Sequence, residues 1–290
     1  MAAGQPRPEF SPDLSHRLRD GLKQGVADLD GRLELVDQEL FVSKSSLARV
    51  FQCERYSTVD DFDWNATTAK GSVAHRAIEL GVFTPGAPSP LELVDLAIAR
   101  HTEDDGSLAG WLRQATPTEV GELRARASDE VIAFFECFPP IKADWRPRTE
   151  TPVKQTIGRI TLQARVDLAF GRSEQNRAGV LIIDLKTGRP YPGHVDDLRF
   201  YALLQTLKIG VPPFRIASYY LDAASWHHED VTEELLEVTV RRVVDGANRL
   251  GELQLDERPP GITPGPACGW CRLSPDCEGA TAWADRDDAA

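Results

Sequence analysis

Asp184 and Lys186 close the apolar run Val180-Leu181-Ile182-Ile183 and are followed at once by Thr187-Gly188. The run reads as a buried strand. Side chains alternate across a strand, so Asp184 and Lys186 share one face while Leu185 turns back into the core. A carboxylate holds a divalent cation, and an ammonium two residues on orients or polarises a water beside it. Asp167 sits on the polar side of an upstream alternating segment; if the two strands are neighbours, both aspartates converge at one sheet edge. Two carboxylates and a lysine so arranged suit phosphodiester hydrolysis. A metal there lowers the pKa of a bound water and offsets charge on a pentacovalent phosphate, while Lys186 steers the nucleophile. The competing reading is a set of solvated strand ends with a surface ion pair, worth about 0–1 kcal/mol.

His75 lies in the helical segment Gly71-Ser72-Val73-Ala74-His75 and is a candidate third metal ligand through its neutral imidazole. The alternative for it is a hydrogen-bonded core histidine. Asp197 and Tyr201 are four apart on the helix after the lysine strand, hence on one face. A tyrosine there either stacks on a base or bonds a phosphate, or packs into the core. His227 and His228 are adjacent on a strand, point to opposite faces and cannot chelate one ion.

Cys268, Cys271 and Cys277, spaced C-x2-C-x5-C in a Pro/Gly-rich segment, form a thiolate cluster that lacks a fourth ligand. Cys53 is the candidate donor, and Cys137, inside a long apolar helix, reads as a small hydrophobe. Tetrahedral sulfur suits either zinc or an iron–sulfur cluster. A disulfide framework is not expected in a cytosolic chain of this size.

The elements that must hold these residues follow from periodicity. Residues 1–10 read as a loose arm. Helices are expected over 12–29, 43–53, 67–80, 90–101 and 116–138, which makes the first half helical. From about residue 145 the period changes. Ile160, Leu162, Ala164, Val166, Leu168 and Phe170 alternate with more polar positions, predicting a strand with one apolar face, paired to 151–157 across Gly158-Arg159. The Val180 strand, a helix over 195–207, a strand over 214–221 and a helix over 232–250 complete an α/β core with a helical cap. The expected division is an arm and helix over 1–42, one domain over 43–280 (helical part 43–144, sheet core 145–222, C-terminal helix and cysteine cluster 223–280) and a disordered acidic tail over 281–290.

The chain has 290 residues, 41% hydrophobic and 27% charged, ordinary for a globular protein with a sizeable core. A net charge of −12 argues against a nonspecific polyanion binder that relies on overall attraction, though a metal and a local basic groove can serve a nuclease. No apolar run is long enough for a membrane span, and the first residues lack the apolar core of a secretory signal, so a cytoplasmic location is the expectation. There is no G-x-x-x-x-G-K-[ST] loop; any helicase activity would come from a separate partner.

Taken together, His75, Asp167, Asp184-x-Lys186, the helix bearing Tyr201 and one early plus three late cysteines resemble the PD-(D/E)XK nuclease superfamily. The likeness is to its RecB-like branch, which includes the nuclease domains of recombination helicase–nucleases and the small nucleases of CRISPR adaptation. It spans roughly 43–277. It implies a restriction-endonuclease-like α/β fold, a central mixed sheet flanked by helices, with a cysteine-clamped C-terminal segment. It further implies that His75, Asp167 and Asp184 bind Mg2+ or Mn2+, that Lys186 assists the attacking water, and that Cys53, Cys268, Cys271 and Cys277 hold a 4Fe–4S cluster, with zinc the lesser alternative. The expected substrate is DNA, single-stranded or end-containing, in repair, recombination or defence.

Two departures stand out: Asp197 where the family helix usually has glutamine, and Glu54 after the cysteine where proline is common. A carboxylate beside the path of a polyanion is unfavourable unless it faces metal or a basic partner. Glu150, at the start of the first strand, is a candidate supporting residue only. The rival reading is a non-catalytic iron–sulfur or zinc protein that binds DNA or a repair partner. The acidic balance and Asp197 favour it; the Asp/Asp-x-Lys set disfavours it. A zinc hydrolase built on the cysteines is poor, because four thiolates leave no open coordination position.

Overall fold

The computed structural model describes residues 7–59, 63–84, 86 and 88–287. Its sheet is built on a long antiparallel hairpin, β2 (Arg148–Ile157) and β3 (Ile160–Gly171). The hairpin turns at Gly158, which has φ +56° and approaches the Asp30 carboxylate too closely for any side chain. Asp30 in turn accepts the Arg159 N–H at 2.6 Å.

β2 follows one edge of β3 from Ile160 to Ala169. On the opposite edge, two strands approach from opposite ends. β1 (Leu40–Val42) pairs in parallel with Ile160–Leu162, and β4 (Val180–Lys186) pairs antiparallel with Leu168–Gly171. Between them, residues 163–167 of β3 have no strand on that edge among the described residues. Both β1 and β4 run with their C-terminal ends toward this gap, so Ser43-Lys44 and Asp184-Leu185-Lys186 reach it from its two sides. Beyond β4 the sheet continues with β5 (Arg215–Tyr220), parallel, and β6 (Ser225–Asp230), antiparallel.

Helices cover both faces. α1 (Leu14–Leu35), α2 (Lys44–Gln52), α8 (His194–Ile209) and α9 (Glu233–Gln254) share a core with one face. The buried positions of α1 (Leu14, Leu18, Leu22, Val26, Leu29 and Leu33) recur every three to four residues, as one helical face requires. α4 (Ala66–Phe83), α5 (Pro90–Glu103), α6 (Ser107–Gln114) and α7 (Pro117–Cys137) build the second core on the other face. β4 is buried on both sides: Val180 and Ile182 enter the first core, Leu181, Ile183 and Leu185 the second. A central strand between two helical layers must be apolar this way. This is the expected mixed sheet flanked by helices, and no described helix is long and apolar enough to cross a membrane.

Four details differ from the sequence expectation. The apolar alternation of β3 does not keep to one face: Ile160, Leu162 and Val166 pack in the first core, but Leu168 and Phe170 pack in the second. The pattern slips at Asp167, where β3 leaves the unpaired gap and joins β4. Residues 7–10 are not loose, because Phe10 is buried, its N–H donates to the Asn176 carbonyl, and Ala178 N–H donates to Pro8; residues 1–6 lie outside the described part. The acidic end is helical, α10 (Glu278–Asp287), and 288–290 are outside the described residues. Finally, β1, α3 (Glu54–Ser57), α6 and β6 were not expected. β1 is three residues long, and the exposed edge strand β6 is polar, so neither carries an apolar period.

Candidate active site

The gap beside β3 is where the chemistry-bearing side chains meet. Asp167 lies opposite the end of β4, and its Oδ2 accepts the Leu185 N–H at 2.8 Å, replacing the backbone carbonyl that a continued ladder would supply. Its Oδ1 is 3.6 Å from His75 Nδ1. His75 reaches it from α4, which starts at an Asn65/Thr68 capping box and passes so close to the loop after β4 that a Cβ at Gly71 would sit 3.0 Å from Thr187 Oγ1. Burial alone would lower the His75 pKa; the Asp167 carboxylate outweighs it and raises the pKa.

Glu150 joins them. It stands across the hairpin from Asp167, between the Thr149↔Leu168 and Thr151↔Val166 pairs, with φ +44°. A glutamate in this left-handed conformation inside a strand is strained by about 1–3 kcal/mol. His75, Glu150 and Asp167 each offer a ligand atom, and the three atoms lie within 4.8 Å of one another. Burial and the Asp167 charge raise the Glu150 pKa. One imidazole and two carboxylates are an N/O donor set suited to Mg2+ or Mn2+.

Asp184 is fully buried, on the same face as Lys186, as strand alternation requires. Its Oδ1 accepts from Lys44 Nζ at 3.1 Å, and its Oδ2 lies 2.7 Å from Lys186 Nζ without an aligned hydrogen bond. Burial pushes the Asp184 pKa up, but the two ammoniums overcome this and hold it well below the usual carboxylate range. Lys186 also donates to Asp197 Oδ2 at 3.0 Å. Lys44, Asp184, Lys186 and Asp197 thus form a chain of alternating charge that sums to zero. The Asp197 carboxylate faces a basic partner, which answers the concern its position raises.

Relative to expectation, the structure joins His75 to Asp167 and Asp184 to Lys186 and Asp197. The close three-ligand group, however, contains Glu150 in place of Asp184. Tyr201 does not face solvent: it is 1% exposed, and Lys44 Nζ sits 5.0 Å from its ring centroid, so it supports Lys44 and is not open to a base. Sequence reasoning missed Lys44 altogether and gave Glu150 only a supporting part. The available signal for Lys44 was its place at the first position of a helix capped by Ser43, where a cation opposes the helix dipole.

Cys53 lies at the junction of α2 and α3, and the segment leading to the other cysteines crosses it. Thr263 N–H donates to Cys53 Sγ at 3.4 Å, Arg55 N–H to the Gly261 carbonyl at 3.1 Å, and Gly261 N–H to Glu54 at 2.8 Å. Arg258 donates to both Glu54 oxygens, at 2.6 and 2.8 Å. Glu54 therefore clamps the C-terminal segment, and its pKa falls to about 2, chiefly through Arg258. All five cysteines are free thiols, and Cys137, expected to pack as a small hydrophobe, is exposed. Sulfurs on one zinc sit about 3.8 Å apart; among the described residues no three cysteines form a group that tight.

A mixed sheet between two helical layers, with acidic groups and a lysine gathered where its edge is interrupted, defines a restriction-endonuclease-like protein. A model of the PD-(D/E)XK nuclease superfamily matches residues 45–278, and the chain belongs to that superfamily. Among solved structures it is similar in fold to a candidate exonuclease from Eubacterium rectale, at 14% identity and TM-score 0.50, covering 83% of this chain and 87% of that one. A second match, SSO0001, has 14% identity and TM-score 0.36 over 90% of this chain and 95% of that one. No curated protein sequence matches.

Proposed function

We propose that the chain is a Mg2+- or Mn2+-dependent deoxyribonuclease of the RecB-like branch, hydrolysing single-stranded or end-containing DNA in repair, recombination or defence. What supports this reading best is the hydrogen bond from Leu185 N–H to Asp167 Oδ2, which brings Asp167 to the end of β4, where Lys186 lies against the Asp184 carboxylate. The donor set fits a hard divalent ion: His75, Glu150 and Asp167 offer one imidazole nitrogen and two carboxylate oxygens within 4.8 Å of one another. When bound, such an ion supplies Lewis acidity and a water of lowered pKa. Asp167, Asp184 and His75 hold it, with Glu150 as a further ligand. Lys186, steadied between Asp184 and Asp197, donates to the attacking water and keeps it in line with the phosphorus.

In this reading Cys53, Cys268, Cys271 and Cys277 hold a 4Fe–4S cluster that ties the C-terminal segment to α2 and has no redox role. Unwinding of duplex DNA would fall to a separate helicase.

The test is degradation of labelled single- and double-stranded DNA with Mn2+ or Mg2+, wild type against Lys186→Ala. Loss of about 10²–10⁴-fold in rate is expected for removal of a group that positions the reacting water. Equal rates would sink the assignment. The engagement of Lys186 by Asp197 favours a second reading, a non-catalytic DNA- or partner-binding protein; wild type that binds DNA but never cleaves it would select that one.

A further inference from the structure

Lys44 has no part in the family-like set of residues, yet it is the closest cation to one oxygen of the candidate ligand Asp184. The two are 140 residues apart and meet because β1 and β4 end at the same gap. Nothing in α2 asks for a lysine there, since a positive charge at a helix N-terminus is unfavourable by about 0.3–1 kcal/mol. What stabilises it is Asp184 itself, with the Tyr201 ring behind. With Lys44 on Oδ1 and Lys186 against Oδ2, both Asp184 oxygens are occupied by cations. Lys44 also has somewhere to go. It lines a cavity of about 360 Å³ together with Phe51, Tyr191, Asp197, Phe200 and Arg242, open beside the same site. The cavity's carboxylates are already matched: Asp197 by Lys186, and Asp196 by Arg242 at 3.0 Å. A phosphate entering it therefore meets Lys44 without an uncompensated negative charge.

We propose that Lys44 is a displaceable counter-ion. Its ammonium holds the Asp184 oxygen that a divalent cation takes, and it moves into the adjoining cavity onto a DNA phosphate when substrate binds, so that metal loading is coupled to substrate. The inference rests on the deoxyribonuclease reading and deepens it. Without DNA, the metal competes with a tethered cation for Asp184. With DNA, the phosphate draws Lys44 away and the carboxylate opens. Linkage is reciprocal: whatever factor DNA adds to metal affinity, metal adds to DNA affinity.

The experiment is calorimetric titration of Mn2+ into the full chain, wild type and Lys44→Met, each with and without a phosphorothioate single-stranded oligonucleotide that resists cleavage. The expected results are an Mn2+ Kd at least about tenfold tighter in Lys44→Met without DNA, since a unit charge a few ångströms from the site is gone, and DNA that tightens Mn2+ binding in wild type but not in the variant. Lys44→Arg keeps the charge and should behave as wild type. An unchanged or weaker Kd in folded Lys44→Met overturns the proposal. Should that variant not fold, the wild-type arm decides: no tightening of Mn2+ by the oligonucleotide overturns it equally. The nuclease reading fails separately, if wild type binds no Mn2+ or if Asp167→Asn binds it as well as wild type does.

Discussion

Asp167 Oδ2 accepts the backbone N–H of Leu185 at 2.8 Å, so one carboxylate both ends the β3–β4 ladder and faces the site. Its two oxygens divide the work: Oδ2 satisfies a buried backbone donor, and Oδ1 is left toward His75. Substitutions separate the roles. Asp167→Asn keeps an acceptor for Leu185 and should unfold in urea close to wild type while losing Mn2+ binding. Asp167→Ala strands the donor and should cost about 1–3 kcal/mol as well. Equal stability of the two variants would refute the division.

Glu150 is a strained residue at a functional position. With φ +44° it occupies a conformation that costs an L-residue about 1–2 kcal/mol relative to glycine. Glycine in a strand is normally worse than alanine. Here Glu150→Gly should be the more stable of the two, by about 1 kcal/mol in thermal or urea unfolding, and both should weaken Mn2+ binding. If alanine is the more stable, the backbone carries no strain at this point.

The end of β4 was legible in the sequence, and its surroundings were less so. Asp184 and Lys186 could be read because strand alternation is strict and β4 is buried on both faces, which leaves charged residues only at its end. Asp167 could be read as a neighbour, but its exact setting could not. The slip between Val166 and Leu168 arises where β3 passes from one partner strand to another, a tertiary event without a local pattern. Glu150 was legible only as a supporting residue, because its side-chain direction depends on a left-handed φ that no propensity signals. Lys44 escaped because its partner is reached only through a three-residue strand too short to show periodicity. Tyr201 was placed on the correct helix face, yet α8 is buried nearly all round, so the face did not decide exposure.

The C-terminal clamp has a part independent of any cluster. Glu54 accepts from Arg258 and Gly261 N–H, and Arg55 N–H reaches the Gly261 carbonyl. Glu54→Ala should release residues 255–265 to limited proteolysis and destabilise the chain by about 1–3 kcal/mol through the donors left unpaired. Cys271→Ser should abolish the visible absorbance of an anaerobic preparation and lower its Tm. A Cys271→Ser protein as stable and active as wild type would remove the cluster from the account.

Away from the gap, Glu130 on α7 is 5% exposed, 2.5 Å from Lys70 Nζ, and its Oε2 has no donor. Burial and the nearby Asp222 carboxyl push its pKa up to about 7, against the opposing pull of Lys70. In the unfolded chain the same group titrates near 4.5. The folded state therefore binds this proton more tightly than the unfolded state does. Its contribution is fully present below about pH 4.5 and is lost as pH rises through about 7. Glu130→Gln, permanently neutral, removes this term. A Tm series from pH 5 to 8 should show wild type falling relative to Glu130→Gln as the pH rises, with the two converging at the acid end. Parallel curves across that range would mean Glu130 keeps an ordinary pKa beside Lys70.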